Sequence, residues 1–277
     1  MKRGIAERIS GRIQFERKRW AARRLGRGQP HFQPDWTFSE IQERLENEND
    51  RYEYFHWHFR RHLPAAFVNH RQYFMSIDNW CGEDSFHSMW FKLLSEYQPS
   101  KVLEIGVHRG QTLSLFALAA REGGWNAEVW GLGPLSGAGD SVSKYKDSSF
   151  DYRADIARNF REFCLPEPQL FQAYSQDTTA DAFVGAKKWD LVYVDGSHDF
   201  QVVCSDIALA WRHLRIGGVL VLDDASLERG YRPYSFSFAG HPGPSAAAAS
   251  TSIMRGFTEI GTCGHNRIFR RFDSLPT

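Results

Sequence analysis

The sequence predicts an α/β fold built on a mostly parallel, seven-stranded sheet, preceded by a helical region and ending in an antiparallel hairpin. Three observations predict it. From Lys101 onward, short apolar runs at 101–105, 127–132, 169–173, 190–194 and 218–222 alternate with helix-like stretches at 111–121, 152–163 and 200–214, as in a parallel sheet covered on both faces. Two further runs, 257–262 and 266–272, read as a closing hairpin. The chain has 277 residues, 42% hydrophobic and 24% charged, which excludes a disordered chain and suffices to bury such a core.

Three regions follow one another. Residues 1–35 are a basic arm ending in Gly26, Gly28, Pro30 and Pro34. Its first 30 residues carry ten Lys or Arg against Glu7 and Glu16, a charge of +8, while the rest of the chain carries −7. Ile5, Ile9, Ile13 and Trp20 recur in it at near-helical spacing. A solvated tail, a helix on an anionic membrane surface and a targeting peptide are the competing readings; of the binding readings, peripheral membrane contact through residues 1–30 is preferred over nucleic acid.

Residues 36–98 are dense in aromatic residues and histidine. A helix start at Ser39-Glu40-Ile41-Gln42 and the spacing of Leu, Phe and Trp suggest helices that pack on a larger body. His56, His58 and His62 alternate with Phe55, Trp57 and Phe59, a pattern of packing rather than ligation. Residues 99–277 hold the alternating strands, a Gly, Pro and aromatic loop at 230–244, a helix candidate at 245–255 and the hairpin. No run approaches the roughly 18 to 20 apolar residues that a bilayer-crossing helix needs. Four cysteines lie far apart without a C-x-x-C pair, so a reducing, cytoplasmic setting is expected.

The segment Val102-Leu103-Glu104-Ile105-Gly106-Val107-His108-Arg109-Gly110 ends a strand and opens a helix. Glycines there let backbone approach a nucleotide closely. Gly106 and Gly110 are four apart, with an acid two residues before the first, unlike the G-x-G-x-x-G of dinucleotide folds. This E-x-G-x-x-x-G resembles the first motif of class I S-adenosylmethionine-dependent methyltransferases. The resemblance implies their Rossmann-like fold, with Glu104, Gly106 and Gly110 at the cofactor and Ser175 and Asp177, after the third strand, near adenine. Ser and Asp are also common helix caps. At the position of the family's ribose-binding acid stands Gly133, which leaves ribose recognition unassigned, with Asp140 in the following loop as a candidate substitute.

Two further segments, Asp190-Leu191-Val192-Tyr193-Val194-Asp195-Gly196-Ser197-His198 and Val219-Leu220-Val221-Leu222-Asp223-Asp224, are expected to lie side by side as strands about 4.8 Å apart. Asp195, Asp223 and Asp224 then meet at one edge. Three carboxylates that close repel one another unless a cation or a proton intervenes. An all-oxygen set favours Mg²⁺, with Mn²⁺ or Ca²⁺ as alternatives. The plain alternative is a turn-capping Asp195 with two solvated loop acids. His198 stands three residues past Asp195, and its ordinary pKa of about 6.5 suits a general base; otherwise it bonds backbone at a helix start.

The D-G-S-H and D-D combination resembles the metal-dependent sugar and macrolide O-methyltransferases of the macrocin and mycinamicin type. The resemblance covers residues 101–225. It implies that Asp195, Asp223 and Asp224 bind Mg²⁺ (or Mn²⁺), that His198 is the base, and that the acceptor is a hydroxyl of a sugar, glycan or polyol-containing natural product. A nucleic-acid methyltransferase that uses the arm and a non-catalytic S-adenosylmethionine-binding protein are the alternatives. Against the first, no Asn-Pro-Pro-Tyr or Pro-Cys sequence occurs and the body is acidic. The expected partner is therefore a small molecule or glycan, and a homo-oligomer stays open.

Overall fold

The computed structural model describes residues 22–77, 82–137 and 150–272. Most of the basic arm, Asp140 and Cys81 lie outside the described residues. The N-terminal helices are α1 (Phe38–Arg44), α2 (Glu48–Arg61), α3 (Ala65–Ser76) and α4 (Asp84–Tyr97). There follow β1 (Lys101–Ile105), α5 (Gln111–Gly123), β2 (Glu128–Gly133), α6 (Tyr152–Glu162), β3 (Gln169–Gln172), α7 (Thr178–Gly185), β4 (Trp189–Val194), α8 (Phe200–His213) and β5 (Leu214–Leu222). The chain closes with α9 (Pro242–Ala249), β6 (Phe257–Cys263) and β7 (Asn266–Arg271). No helix among the described residues is long and apolar enough to cross a membrane.

Seven strands form one sheet in the order β3-β2-β1-β4-β5-β7-β6. The first five strands run parallel, and β7 lies antiparallel between β5 and β6. The predicted fold class is the observed one. Two element starts and one additional helix depart most from the expectation. Strand β5 begins at Leu214, which pairs with Trp189 ahead of an irregularity in the ladder, so a stretch that looked like the end of a helix is already strand. Helix α7 was not anticipated, because eight residues are too few to show an apolar period. Helix α9 starts at Pro242, before the expected 245, since proline fits a helix's first turn where no N–H partner is needed.

Alternation along the strands sorts the interior into two layers. Val102, Leu191, Tyr193, Val219 and Val221 face one layer together with the N-terminal helices. Leu103, Ile105, Val192, Val194, Leu220 and Leu222 face the other, with α7 and α8. The aromatic region thus covers one face of the sheet. His56 and His58 are buried there, His58 against the Ser88 hydroxyl at 2.8 Å, as the packing reading expects, whereas His62 is exposed and fits that reading through its ring contact with Trp57 at 4.5 Å. The cap of α1 is Thr37 paired with Glu40 in a reciprocal capping box, not Ser39; Ser39 lies inside the helix, where its N–H donates to Glu96 at 2.9 Å. The described end of the arm is docked rather than solvated: Leu25 is buried and Arg61 donates to the Gly26 carbonyl at 3.0 Å.

The outer strand β6 is closed by a side chain. Gln42 of α1 donates to the Thr262 carbonyl at 3.2 Å, and the Thr262 N–H donates back to its amide oxygen at 3.0 Å, so a buried amide takes the place of a neighbouring strand. Replacing it by Gln42→Leu should leave both backbone groups without partners, at about 1–3 kcal/mol each. Urea unfolding checks this, and an unchanged midpoint would show that the pair contributes nothing.

Candidate active site

One row of the sheet assembles the site. Ile105, Val194 and Leu222 are register partners, and the ladder runs one residue further: the Asp195 N–H donates to Ile105 at 2.8 Å and the Asp223 N–H to Val194 at 3.0 Å. Gly106, Asp195 and Asp223 therefore lie abreast at the carboxyl edge, where ligands bind in such sheets. Gly106 has a φ of 103°, and a side chain there would run into the Asp195 carbonyl. Gly110 opens α5 with a φ of 71°.

A cavity of about 910 Å³ runs along this edge. Glu104, Gly106, Gly110 and Gly133 form part of its wall, as do Ser175, Asp195, His198, Asp223 and Asp224. The residues expected at a cofactor are thus brought together, with one correction. Asp177 is not in the lining; its carboxylate accepts the Tyr174 N–H at 3.0 Å and holds the turn into α7. Phe74, Phe86, Trp90, Phe236 and Phe238 are among the apolar residues of its wall. The loop at 230–244 is anchored, because Tyr52 of α2 packs on Tyr231 and Tyr234 at ring separations of 5.4 and 5.5 Å.

The carboxylates are held close in a buried place. Asp195 accepts from the Tyr193 hydroxyl at 3.1 Å; burial, then the charges of Asp223, Asp224 and Glu104, push its carboxyl well above the usual range. Burial likewise pushes Glu104 up to about 8, and its Oε2 has no hydrogen-bond partner. Asp223 behaves oppositely. Burial works against its charge, but the His265 imidazolium beside it outweighs burial and holds the carboxyl below its ordinary value. Asp224 has a φ of 54°, a left-handed conformation that aspartate tolerates better than most residues. His198 Nε2 lies 2.9 Å from its Oδ2, and His241 Nε2 lies 3.7 Å from the same oxygen.

Sequence reasoning missed three of these groups as site residues. His265, in the turn between β6 and β7, puts Nε2 3.3 Å from Asp223 Oδ1 and 3.7 Å from Asp224 Oδ1. Burial favours its neutral form, but Asp223 outweighs burial and raises its pKa to about 10. His241 belongs to the loop at 230–244, where nothing in the sequence singles it out. Asp206 on α8 lines the cavity as a buried carboxyl that burial pushes up to about 7. Nothing in the sequence marks His265 among eleven histidines; only the antiparallel return of β7 beside β5 brings it here.

A divalent cation fits this donor set. Asp223 Oδ1 is buried without a hydrogen-bond partner, and Asp223, Asp224 and His265 offer ligand atoms within 4.8 Å of one another, as do His198, Asp224 and His241.

Residues 103–225 match the family described as "Methyltransferase domain". No curated protein matches the sequence. Solved structures share the fold at low identity. The S-adenosylhomocysteine-bound methyltransferase PaMTH1 of Podospora anserina superposes with a TM-score of 0.54 at 16% identity, covering 76% of this chain and 89% of that one. The O-methyltransferase TomG of Streptomyces achromogenes, in complex with S-adenosylmethionine, gives 0.51 at 16% identity over 84% and 99%. An O-methyltransferase of Bacillus cereus, complexed with S-adenosylhomocysteine, gives 0.50 at 13% over 77% and 94%. The fold is the one these S-adenosylmethionine- and S-adenosylhomocysteine-bound methyltransferases share, and within it residues 103–225 are the part that matches the methyltransferase-domain family.

The His265–Asp223 pair links stability to pH. Because the folded pKa of about 10 lies above the ordinary 6.5, the pair's contribution is full below pH 6.5 and is lost as pH rises through 10. In metal-free protein, Tm should fall more steeply between these values for the wild type than for His265→Gln. Parallel slopes would contradict the charged pair.

Proposed function

We propose that this chain is an S-adenosylmethionine-dependent, divalent-metal-dependent O-methyltransferase acting on a hydroxyl of a sugar, glycan or polyol-containing natural product. The observation that carries this reading is the shared row: the glycine that admits a cofactor and the carboxylates that fit a cation are neighbours on one cavity wall. S-adenosylmethionine supplies a methyl group on a sulfonium, already a good leaving group, so the protein's tasks are positioning and deprotonation.

Asp195, Asp223 and Asp224 would hold Mg²⁺ or Mn²⁺, which lowers the pKa of a hydroxyl beside it. His198 stands at the same edge and takes the hydroxyl proton. Asp224, 2.9 Å from its Nε2, stabilises the imidazolium that results. The freed oxygen pair forms the new C–O bond as the C–S bond breaks, and the donor leaves as a neutral thioether. Glu104, Gly106 and Gly110 shape the donor's end of the cavity, with Ser175 beside its adenine. The aromatic walls exclude water and offer faces on which a sugar ring stacks.

Titration calorimetry should show binding of S-adenosylmethionine and none of NAD, and Gly106→Val should abolish it, because a side chain there runs into the Asp195 carbonyl and displaces the strand end that lines the donor's cavity. Binding of NAD alone would remove the reading. Asp195→Asn, Asp223→Asn and Asp224→Asn should each depress Mg²⁺- or Mn²⁺-dependent methyl transfer to a panel of sugars while sparing donor affinity; full turnover in excess EDTA would exclude the metal. His198→Ala should lower kcat by about 10²- to 10⁴-fold with partial recovery at high pH, and an unchanged pH profile would return His198 to a structural role.

A further inference from the structure

We propose that His265 is a nitrogen ligand of the metal site through Nε2, so that the site selects a first-row transition ion such as Mn²⁺ over Mg²⁺. The inference rests on the metal-dependent reading above and adds a ligand and an ion preference to it.

The backbone fixes where the ring stands. His265 is the second residue of a two-residue turn, after Gly264 with a φ of 59°, and its carbonyl accepts the Ala225 N–H at 2.8 Å. That bond ties the turn to the chain just past Asp224. The imidazole is then held from both sides, with Phe86 edge-on at a ring separation of 4.5 Å and Phe238 at 4.5 Å.

Orientation follows from the other ring nitrogen. Nδ1 lies 3.2 Å from the Phe238 carbonyl, which can only accept, so Nδ1 carries the hydrogen and Nε2 is the atom turned to the acids. A ring N–H given to a backbone carbonyl is the usual arrangement behind a metal-binding histidine, because it sets the tautomer and the plane of the ring. The acids answer in kind. Asp223 Oδ1 is only 3.3 Å from Nε2, yet it is buried without a hydrogen-bond partner. The two atoms are thus close neighbours with no well-aligned hydrogen bond between them, which leaves room for an ion that both can touch. With Asp224 they lie within 4.8 Å of one another, close enough for one ion to touch all three.

A nitrogen in the set changes which ion is preferred. Mg²⁺ favours an all-oxygen octahedron, whereas imidazole raises affinity along the first transition row. The competing account is an imidazolium that neutralises the acids and never touches an ion.

Pulsed EPR of the full-length protein loaded with Mn²⁺ separates the two, together with calorimetric titration of Mn²⁺ and Mg²⁺. We expect ¹⁴N hyperfine coupling in the wild type that persists in His198→Ala and His241→Ala, and tighter binding of Mn²⁺ than of Mg²⁺. In His265→Gln the coupling should vanish and the Mn²⁺ preference should shrink at least about tenfold. A His198→Ala/His241→Ala double variant, in which His265 is the one remaining nitrogen of these two donor groups, should keep the coupling and decides the question even where His265→Gln does not fold. Mn²⁺ bound without ¹⁴N coupling, or coupling lost in His198→Ala or His241→Ala, would overturn His265 as the ligand and leave the metal reading standing. Absence of Mn²⁺ and Mg²⁺ binding in the wild type would overturn both.

Discussion

The architecture turns on one electrostatic constraint: the ends of two neighbouring parallel strands bring Asp195, Asp223 and Asp224 together, and Glu104 stands behind them on the same sheet face. Charges so close and so shielded from water cannot all be carried without compensation. Part of the compensation is built into the chain. Asp195 and Glu104 are pushed toward their neutral forms, while Asp223 keeps its charge against the His265 imidazolium. The compensating imidazolium comes from the C-terminal hairpin, so the site depends on parts of the molecule remote from it in sequence.

Two such parts matter most. The N-terminal helices complete the layer behind Tyr193 and supply Phe86 and Trp90 to the cavity wall; α1 closes β6 through Gln42. The hairpin of β6 and β7 then carries His265 to the acids. Removing either element would do more than shorten the protein, since each contributes a wall or a charge to the site. The loop at 230–244 is tied to the same scaffold: Asn49 of α2 donates to the Arg232 carbonyl at 2.6 Å and accepts the Arg232 N–H at 2.9 Å. His241, near the end of that loop, is held at Asp224 by its own N–H, which donates to the Asp224 carbonyl at 2.8 Å.

Gly106 shows how tightly backbone and chemistry are joined here. Its lack of a side chain serves the approach of Asp195 as much as that of any cofactor, because a Cβ would meet the Asp195 carbonyl before it met a ligand. Gly133 carries a related consequence. A Cβ there would stand 3.2 Å from the Val107 backbone nitrogen, a tight but not prohibitive approach, so the loss of the acid that related enzymes place on the ribose is not explained by crowding alone.

What the sequence determined by itself is whatever depends on short spans. The alternation of apolar runs set the parallel sheet, the paired runs at the C-terminus set the hairpin, and E-x-G-x-x-x-G, D-G-S-H and D-D marked the strand ends, because strand period and turn chemistry are local properties. Placing Asp195 near Asp223 and Asp224 needed only the rule that consecutive parallel strands joined by one crossover can be neighbours. His265, Asp206 and the closure of β6 by Gln42 were decided by tertiary structure alone. A histidine in a hairpin turn carries no local mark of the charge it will face, and Gln42 and Thr262 are 220 residues apart. Only the register of β7 against β5 and the docking of α1 on the sheet edge bring those partners within hydrogen-bond and ion-pair distance.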